Sequence, residues 1–246
     1  MALPKRMTAE DTWTENVLSA VAPLRGQAET IYATLVDETA EDFQALLQAE
    51  SRLRSLRDTA GSDARHDRRN LVGAIRGYAE MLEEQTQGLP DILRHIIPDI
   101  LRAATSEPTA TLADNDPISG TALSHIEEPG VILAVDDLPE NRDLVCRQLR
   151  KTGHTVITAE SGEEALEILG TAAVDVVLLD LVMPGIGGAD VLRRLKDDQR
   201  LRATSVIMIS GQQDMDQIIS CIEAGADDYL LKPFNPVLLQ ARISAG

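Results

Sequence analysis

Polar and charged side chains stand at the ends of four apolar segments in the C-terminal half of the chain. Asp136 and Asp137 follow the first segment, Asp180 ends the third, Ser210 ends the fourth, and Lys232 follows the fifth. Three carboxylates close together repel one another unless a cation lies among them. Mg²⁺, which binds one or two carboxylates together with phosphate oxygens and water, suits such a group. The chemistry that this set predicts is attack of one carboxylate on a phosphoryl group, with Mg²⁺ and Lys232 neutralising the phosphoryl oxygens.

The segments that carry these groups predict a parallel α/β sheet. Short runs rich in β-branched residues lie at 131–135, 155–159, 174–180, 205–210 and 228–231, and helical stretches alternate with them. Nearly continuous apolar strands indicate burial on both faces, as in a parallel sheet covered by helices. A lone aspartate at a strand end is usually a turn or helix-capping residue. It is the meeting of several such groups at the carboxyl edge of one sheet that predicts a ligand site.

The composition of the chain disfavours some classes of binding partner and indicates a cellular compartment. The chain of 246 residues has a formal net charge of −17, which disfavours nucleic acid and membrane partners because phosphate backbones and anionic lipids would be repelled. Its two cysteines, Cys146 and Cys221, lie far apart and predict neither a disulfide framework nor a zinc site. Without a signal-peptide pattern or a long apolar stretch, we expect a cytoplasmic protein.

The N-terminal part of the chain has a different texture. Helical periodicity runs from about residue 8 to residue 101, with breaks at 59–63 and 87–90. A stretch rich in Ser, Thr, Pro, Gly and acidic residues follows it and predicts a linker. The predicted domains are therefore a helical domain at 1–103, a linker at 104–129 and an α/β domain at 130–246.

The C-terminal domain resembles the receiver domain of bacterial two-component response regulators. The segments "AVDDLPENR", "LLDLVMPGIGG", "MISG" and "DYLLKPF" occur in the order and spacing typical of that family. The resemblance implies a flavodoxin-like fold with a five-stranded parallel sheet in the order 2-1-3-4-5, Mg²⁺ as cofactor, and a histidine kinase or phosphotransfer protein as partner. It also implies the following roles: Asp180 as phosphoacceptor and metal ligand, Asp137 as direct metal ligand, Asp136 as metal ligand through water, the Val182 carbonyl as a further ligand, Lys232 as phosphoryl-binding residue, and Ser210 and Tyr229 as switch residues.

A flavodoxin-like cofactor binder is the other function that this fold suggests. The loop after the first strand, "DDLPEN", is acidic and lacks glycine. An anionic cofactor phosphate requires exposed backbone amides at that point. The sequence therefore disfavours this alternative.

The helical segment 64–82 carries one apolar stripe and one histidine on the other side. The stripe consists of Leu71, Ala74, Ile75, Tyr78 and Leu82. At roughly 100° per residue, His66 lies about 150° from the centre of the stripe, with Asn70 one turn further along. We therefore expect His66 to be exposed.

This segment, "RHDRRNLVGAIRGYAEML", resembles the H-box of the dimerisation and histidine-phosphotransfer domain of sensor histidine kinases. The resemblance implies that His66 is the phosphorylated residue, that Asp67 assists transfer and that Asn70 orients water. A second helix at 89–103 would complete a hairpin that pairs into a four-helix homodimer, and the segment 42–58 would extend it as a coiled coil.

Two departures from that family leave two readings of the histidine open. Arg68 stands where an apolar residue is common, and a linker follows the helices in place of an ATP-binding kinase domain, so we expect no self-phosphorylation from ATP. His66 is then either a relic in a dimerisation module or a working phosphotransfer or phosphatase residue.

The sequence is compatible with three functions. The first is a dimeric response regulator phosphorylated on Asp180, whose output domain lies beyond "ARISAG". The second is a phosphotransfer or phosphatase protein that uses His66. The third is a dimeric scaffold in which phosphorylation plays no part.

Overall fold

The computed structural model describes residues 8–35, 37–57, 59, 61–85, 89–106, 129–211, 215–232 and 236–245. The chain forms two compact units, which divide after residue 119. Most of the predicted linker at 104–129, namely 107–128, lies outside the described residues.

The N-terminal unit is helical throughout its described residues. Its helices are α1 (Ala9–Gly26), α2 (Ala28–Tyr32), α3 (Asp37–Ser55), α4 (Ser62–Glu84) and α5 (Asp91–Thr105). A capping box between Thr8 and Asp11 begins α1. The two predicted breaks separate α3 from α4 and α4 from α5, whereas the break between α2 and α3 was not predicted from the sequence.

Four of these helices form a bundle within a single chain. α3 packs along α4, α4 along α5, α5 along α1, and α1 against α3. The prediction that a two-helix hairpin needs a second chain to bury its stripe is therefore wrong. The coiled coil predicted for 42–58 stays a prediction; in this structure α3 folds back along α4 after a break.

Helix α4 is buried on more than one side. Every member of the predicted stripe is at most 1% exposed, so the stripe itself is confirmed. Val72, Ala79 and Met81, which lie off that stripe, are at most 2% exposed. The additional burial is what the neighbouring helices of the same chain provide, and dimerisation stays an untested prediction that this stripe no longer supports.

The C-terminal unit is an α/β sandwich of three layers. Its elements in chain order are β1 (Val131–Val135), α6 (Pro139–Lys151), β2 (Thr155–Ala159), α7 (Gly162–Thr171), β3 (Val176–Asp180), α8 (Gly188–Asp197), β4 (Ser205–Ser210), α9 (Met215–Glu223), β5 (Asp228–Leu231) and α10 (Pro236–Ala245). All neighbouring strands are parallel and their order is β2-β1-β3-β4-β5, which confirms the predicted topology.

Two apolar cores lie on the two faces of this sheet. On one face, strand residues such as Leu133 and Leu179 pack against α7, α8 and α9. On the other face, strand residues such as Ile132 and Leu178 pack against α6 and α10. Because both faces are covered, the five residues of β3 are all buried, as the continuous apolar run predicts.

No helix among the described residues is both long and apolar enough to cross a membrane.

Candidate functional site

The predicted carboxylates meet at the carboxyl edge of the sheet, between β1 and β3. The chain leaves β1 toward β2 on one side and has β3 on the other, so this is the point where strand order reverses. Asp136 follows β1 directly and Asp180 is the last residue of β3. Asp136, Asp137 and Asp180 each offer an oxygen within 4.8 Å of the others. Asp180 is completely buried and Asp136 is 6% exposed.

Lys232 joins two of these carboxylates. Its Nζ donates hydrogen bonds to Asp136 Oδ2 at 2.7 Å and to Asp180 Oδ2 at 2.8 Å. Its backbone N–H donates to the Ser210 carbonyl at 2.7 Å, which fixes the end of β5 beside the end of β4. Two strand ends that are distant in sequence thus deliver an ammonium group to the aspartates.

Two residues that sequence reasoning missed hold Asp136 in place. Asn141 Nδ2 lies 3.1 Å from Asp136 Oδ1 and 3.0 Å from Oδ2. Arg142 Nη1 donates to the Asp136 carbonyl at 2.5 Å. Both stand in the first turns of α6, five and six residues after the aspartate, at the end of the segment "AVDDLPENR".

One carboxylate oxygen of Asp180 has no hydrogen-bond partner among the described residues. Its Oδ2 accepts from Lys232, whereas its Oδ1 is buried and has no hydrogen-bond partner within the described part of the chain. A buried carboxylate oxygen without a partner is costly unless a ligand satisfies it. Together with the two neighbouring carboxylates, this atom fits a hard, oxygen-binding cation such as Mg²⁺.

The electrostatics of the site favour a bound cation. Burial raises the pKa of Asp180 to about 7; Lys232 opposes this rise, and the charges of Asp136 and Asp137 add to it. Burial acts to lower the pKa of Lys232, but the charges of Asp136 and Asp180 outweigh burial and raise it. Lys232 therefore stays protonated, and a second positive charge at this site would favour the ionised form of Asp180.

Glycines allow the loop after β3 to fold closely over the end of the strand. A Cβ atom at Gly188 would lie 2.1 Å from the Asp180 carbonyl oxygen, and one at Gly162 would lie 2.3 Å from the Ile186 carbonyl oxygen. The Gly188 N–H donates to the Leu181 carbonyl at 3.1 Å. Only glycine fits these two close approaches, so they fix the loop that follows Asp180.

The remaining predicted site residues of this unit surround the carboxylates along the chain. Val182 lies two residues after Asp180 and is 39% exposed. Ser210 is buried, and its hydroxyl lies 3.4 Å from the Gly211 carbonyl oxygen, a long hydrogen bond. Tyr229 on β5 is half-buried and packs against the core beneath α7, α8 and α9.

Comparison with known proteins agrees with this architecture. Residues 132–244 match the response regulator receiver domain. The two-component response regulator ORR3 of Oryza sativa subsp. indica is 37% identical over 106 residues, which cover 43% of this chain and 81% of that protein. This chain belongs to the response regulator family.

Longer response regulators match slightly less than half of this chain. The probable transcriptional regulator ycf27 of Guillardia theta is 38% identical over 49% of this chain and 46% of its own length. The phosphate regulon transcriptional regulatory protein PhoB of Pseudomonas aeruginosa is 36% identical over 46% of this chain and 50% of its own length. The receiver therefore spans about half the length of these relatives. Among solved structures, a putative response regulator from Chloroflexus aurantiacus J-10-fl is 34% identical, over 48% of this chain and 100% of that one, with a TM-score of 0.46.

The residues of the predicted H-box lie in the helical unit, on α4. The prediction that His66 is exposed is wrong: the residue is half-buried and its Nε2 atom has almost no accessible surface. Helix α1 approaches this part of α4: Glu10 Oε1 lies 3.9 Å from Arg68 Nη2, and Glu10 Oε2 lies 3.8 Å from Arg69 Nη2. Asn70 is only 6% exposed, so it belongs to the bundle interior. Asp67 is half-buried.

Arg68, which departs from the family pattern, has a structural role. Its side chain is buried, and Nη1 donates to the Thr59 carbonyl at 2.8 Å and to the Leu56 carbonyl at 3.3 Å. These carbonyls lie just after α3, where helix-terminal acceptors need partners. Arg68 thus closes the turn between α3 and α4, a role that an apolar residue cannot fill.

Proposed function

We propose that this response regulator accepts a phosphoryl group on Asp180, in a Mg²⁺-dependent reaction, from a separate histidine kinase or phosphotransfer protein. The observation that carries the proposal is the buried Asp180 Oδ1, which has no partner among the described residues and lies beside two carboxylates and the Lys232 ammonium group. This arrangement provides a nucleophile and a positive charge within one small site.

The proposed ligands of Mg²⁺ are Asp137, Asp180 and the Val182 carbonyl, with Asp136 acting through water. When bound, Mg²⁺ supplies positive charge to the oxygens of the transferred phosphoryl group. Asp180 contributes the nucleophile: a carboxylate oxygen forms the new bond to phosphorus as the bond to the donor breaks, and the donor keeps that electron pair. Lys232 is already protonated in the site and stabilises the phosphoryl oxygens without a proton transfer.

The proposed switch begins at Ser210. Among the described residues, its hydroxyl makes a long hydrogen bond to the Gly211 carbonyl, so turning toward a phosphoryl group costs little. Tyr229 would then move within the half-buried position that it occupies, and the change would reach the surface formed by α9, β5 and α10. Ile219 and Ile222 of α9 are 54% and 41% exposed on this unit, as a surface that recognises a partner requires.

We expect the output of this switch to require further parts of the signalling system. The proposed assembly is a cytoplasmic homodimer formed through the helical unit. With a net charge of −17, we expect this chain itself to bind neither nucleic acid nor membrane. An output domain or a separate target would carry the effector activity.

The test is intact-mass spectrometry after incubation with acetyl phosphate and Mg²⁺. The wild-type chain should gain about 80 Da, the mass of one phosphoryl group. Asp180→Asn and addition of EDTA should each prevent the gain, and the exposed control Asp190→Asn should retain it. Labelling of the Asp180→Asn variant would refute the assignment of the acceptor.

We also propose that His66 takes no part in phosphoryl exchange while the bundle is intact. Its half-buried position and the nearly inaccessible Nε2 oppose the in-line approach to a phosphoryl group that transfer requires. Decay of the phosphoryl label on Asp180 should be equal in wild type, His66→Ala and the exposed control His95→Ala. Slower decay in His66→Ala alone would support a phosphatase or back-transfer role instead.

A further inference from the structure

Protein donors occupy both oxygens of the Asp136 carboxylate, in contrast to that of Asp180. Oδ1 accepts from the Leu138 N–H at 2.9 Å and lies 3.1 Å from Asn141 Nδ2. Oδ2 lies 3.0 Å from Asn141 Nδ2 and accepts from Lys232 Nζ at 2.7 Å. Backbone, amide and ammonium donors thus surround a side chain that is nearly buried.

Counting lone pairs separates Asp136 from Asp180. A carboxylate offers about four acceptor directions, and the contacts of Asp136 occupy all of them. Asp180 uses Oδ2 for Lys232 and keeps Oδ1 without a partner in the described part of the chain. The protein therefore leaves capacity for a ligand on Asp180 and removes it from Asp136.

Among these donors, Asn141 is the one that a single substitution can remove without also removing a contact of Asp180. The Leu138 donor is a backbone amide, and Lys232 also serves Asp180. Asn141 is the third residue of α6, and helical side chains lean toward the N-terminus, which brings its amide back toward Asp136 in the loop before the helix. Arg142 holds the Asp136 carbonyl and its Nη2 lies 3.8 Å from Glu160, so the backbone beneath the carboxylate is fixed as well.

We propose that Asn141 is a positioning residue that keeps Asp136 from binding the cation directly. The inference rests on the proposed Mg²⁺-dependent function and deepens it. With Asp136 held by the protein, fewer carboxylate oxygens are available and more of the coordination shell is left to water. Mg²⁺ prefers such a shell, whereas Ca²⁺ takes six to eight oxygen ligands and tolerates crowded carboxylates. Asn141 thereby favours Mg²⁺ over Ca²⁺.

Calorimetric titration of the full chain with Mg²⁺ and with Ca²⁺ tests this role without any phosphorylation. In Asn141→Leu, which preserves size but removes both contacts, the affinity for Ca²⁺ relative to Mg²⁺ should rise on the order of tenfold, the scale of one hydrogen bond to a charged group. Asn141→Ser should show a smaller rise, because a short hydroxyl cannot reach both oxygens. The control Asp143→Asn, on the same helix and with a side chain 41% exposed, should leave the ratio within about twofold.

The possible outcomes separate this inference from the proposed function. Equal weakening of both cations in Asn141→Leu would show a merely structural role and overturn the inference, as would an unchanged ratio. Failure of the wild-type chain to bind Mg²⁺ would overturn the proposed function, and this inference with it. If circular dichroism shows that Asn141→Leu is unfolded, the ratio measured for Asn141→Ser decides by the same criteria.

Discussion

The buried position of Asp180 predicts an inverse dependence of stability on pH in the metal-free protein. Burial raises the pKa of this carboxyl to about 7, whereas an aspartate in an unfolded chain titrates near 3.9. Between these values the folded state holds a proton that the unfolded state has released. The free energy of unfolding therefore falls as pH rises from about 4 to about 7, and is flat above that range as far as this residue is concerned.

The size of the effect follows from the pKa difference. Each unit corresponds to about 1.4 kcal/mol, so ionisation of Asp180 in the folded protein costs up to about 4 kcal/mol. About half of this cost, roughly 2 kcal/mol, develops between pH 5.5 and pH 8. Asp180→Asn has a neutral side chain of similar shape and lacks this term. Its stability relative to wild type should therefore increase by about 2 kcal/mol over that interval.

Two signals separate the units in the assay. Trp13, the only tryptophan of the chain, is buried on α1, so its fluorescence follows the helical unit. Urea unfolding in EDTA, followed by far-ultraviolet circular dichroism, reports both units. The transition of the receiver should shift between wild type and Asp180→Asn in a pH-dependent way, whereas the Trp13 transition should not. Asp190→Asn, a substitution at an exposed position on α8, is the control.

The reasoning would be refuted if the stability difference between wild type and Asp180→Asn were the same at pH 5.5 and pH 8. That result would show that the ammonium group of Lys232 keeps Asp180 ionised throughout this range, so that attraction outweighs burial in the metal-free site. Saturating Mg²⁺ provides a second check. It should stabilise wild type more at pH 8 than at pH 5.5, because protons and the cation compete for the same carboxylate.

Two further substitutions test the close contacts described above. Gly188→Ala should destabilise the receiver by about 1–3 kcal/mol and reduce phosphoryl labelling, because its Cβ would overlap the Asp180 carbonyl. The control Gly170→Ala has open space around its Cβ and should have neither effect. Equal effects of the two substitutions would contradict the packing argument. Arg68→Met should lower the stability reported by Trp13 fluorescence by about 2 kcal/mol, because the two part-buried carbonyls after α3 lose their donor. The exposed control Arg94→Met should change it by less than about 0.5 kcal/mol, and a similar loss in both would contradict the role of Arg68.

The receiver fold was predictable because local patterns and topology agree there. Continuous apolar runs gave the strand positions almost to the residue, with β3 beginning at Val176 in place of residue 174. Parallel strands bring their carboxyl ends to one edge, so the meeting of Asp136, Asp180 and Lys232 followed from strand order. Asn141 was not predictable in the same way, because its role depends on how far a side chain reaches across one helical turn. The close approach at Gly188 was not predictable from the sequence either, because glycines after a strand also occur in ordinary turns.

The helical unit was less predictable because periodicity describes one helix and burial depends on its neighbours. The stripe on α4 gave the correct inner face, and the angle correctly placed His66 away from it. Exposure does not follow from that angle when another helix covers the second side. Here α1 lies beside α4, where Glu10 approaches the α4 residues Arg68 and Arg69. Trp13 Nε1 of α1 donates a hydrogen bond to the Ala103 carbonyl at 3.0 Å, which holds α1 against the end of α5.

We expect the burial of His66 to depend on where α1 lies, because α1 approaches the residues that follow His66 on α4. A histidine that exchanges phosphate must present one ring nitrogen to solvent or to a partner. In this bundle that presentation requires α1 to move, and the Trp13 hydrogen bond opposes such movement. Trp13→Phe, which removes the donor and leaves a smaller aromatic ring, should therefore increase amide hydrogen exchange in α1 and the reactivity of His66 toward diethyl pyrocarbonate, with amide exchange in the α/β unit unchanged. Equal His66 reactivity in the two proteins would show that α1 does not control access to this residue.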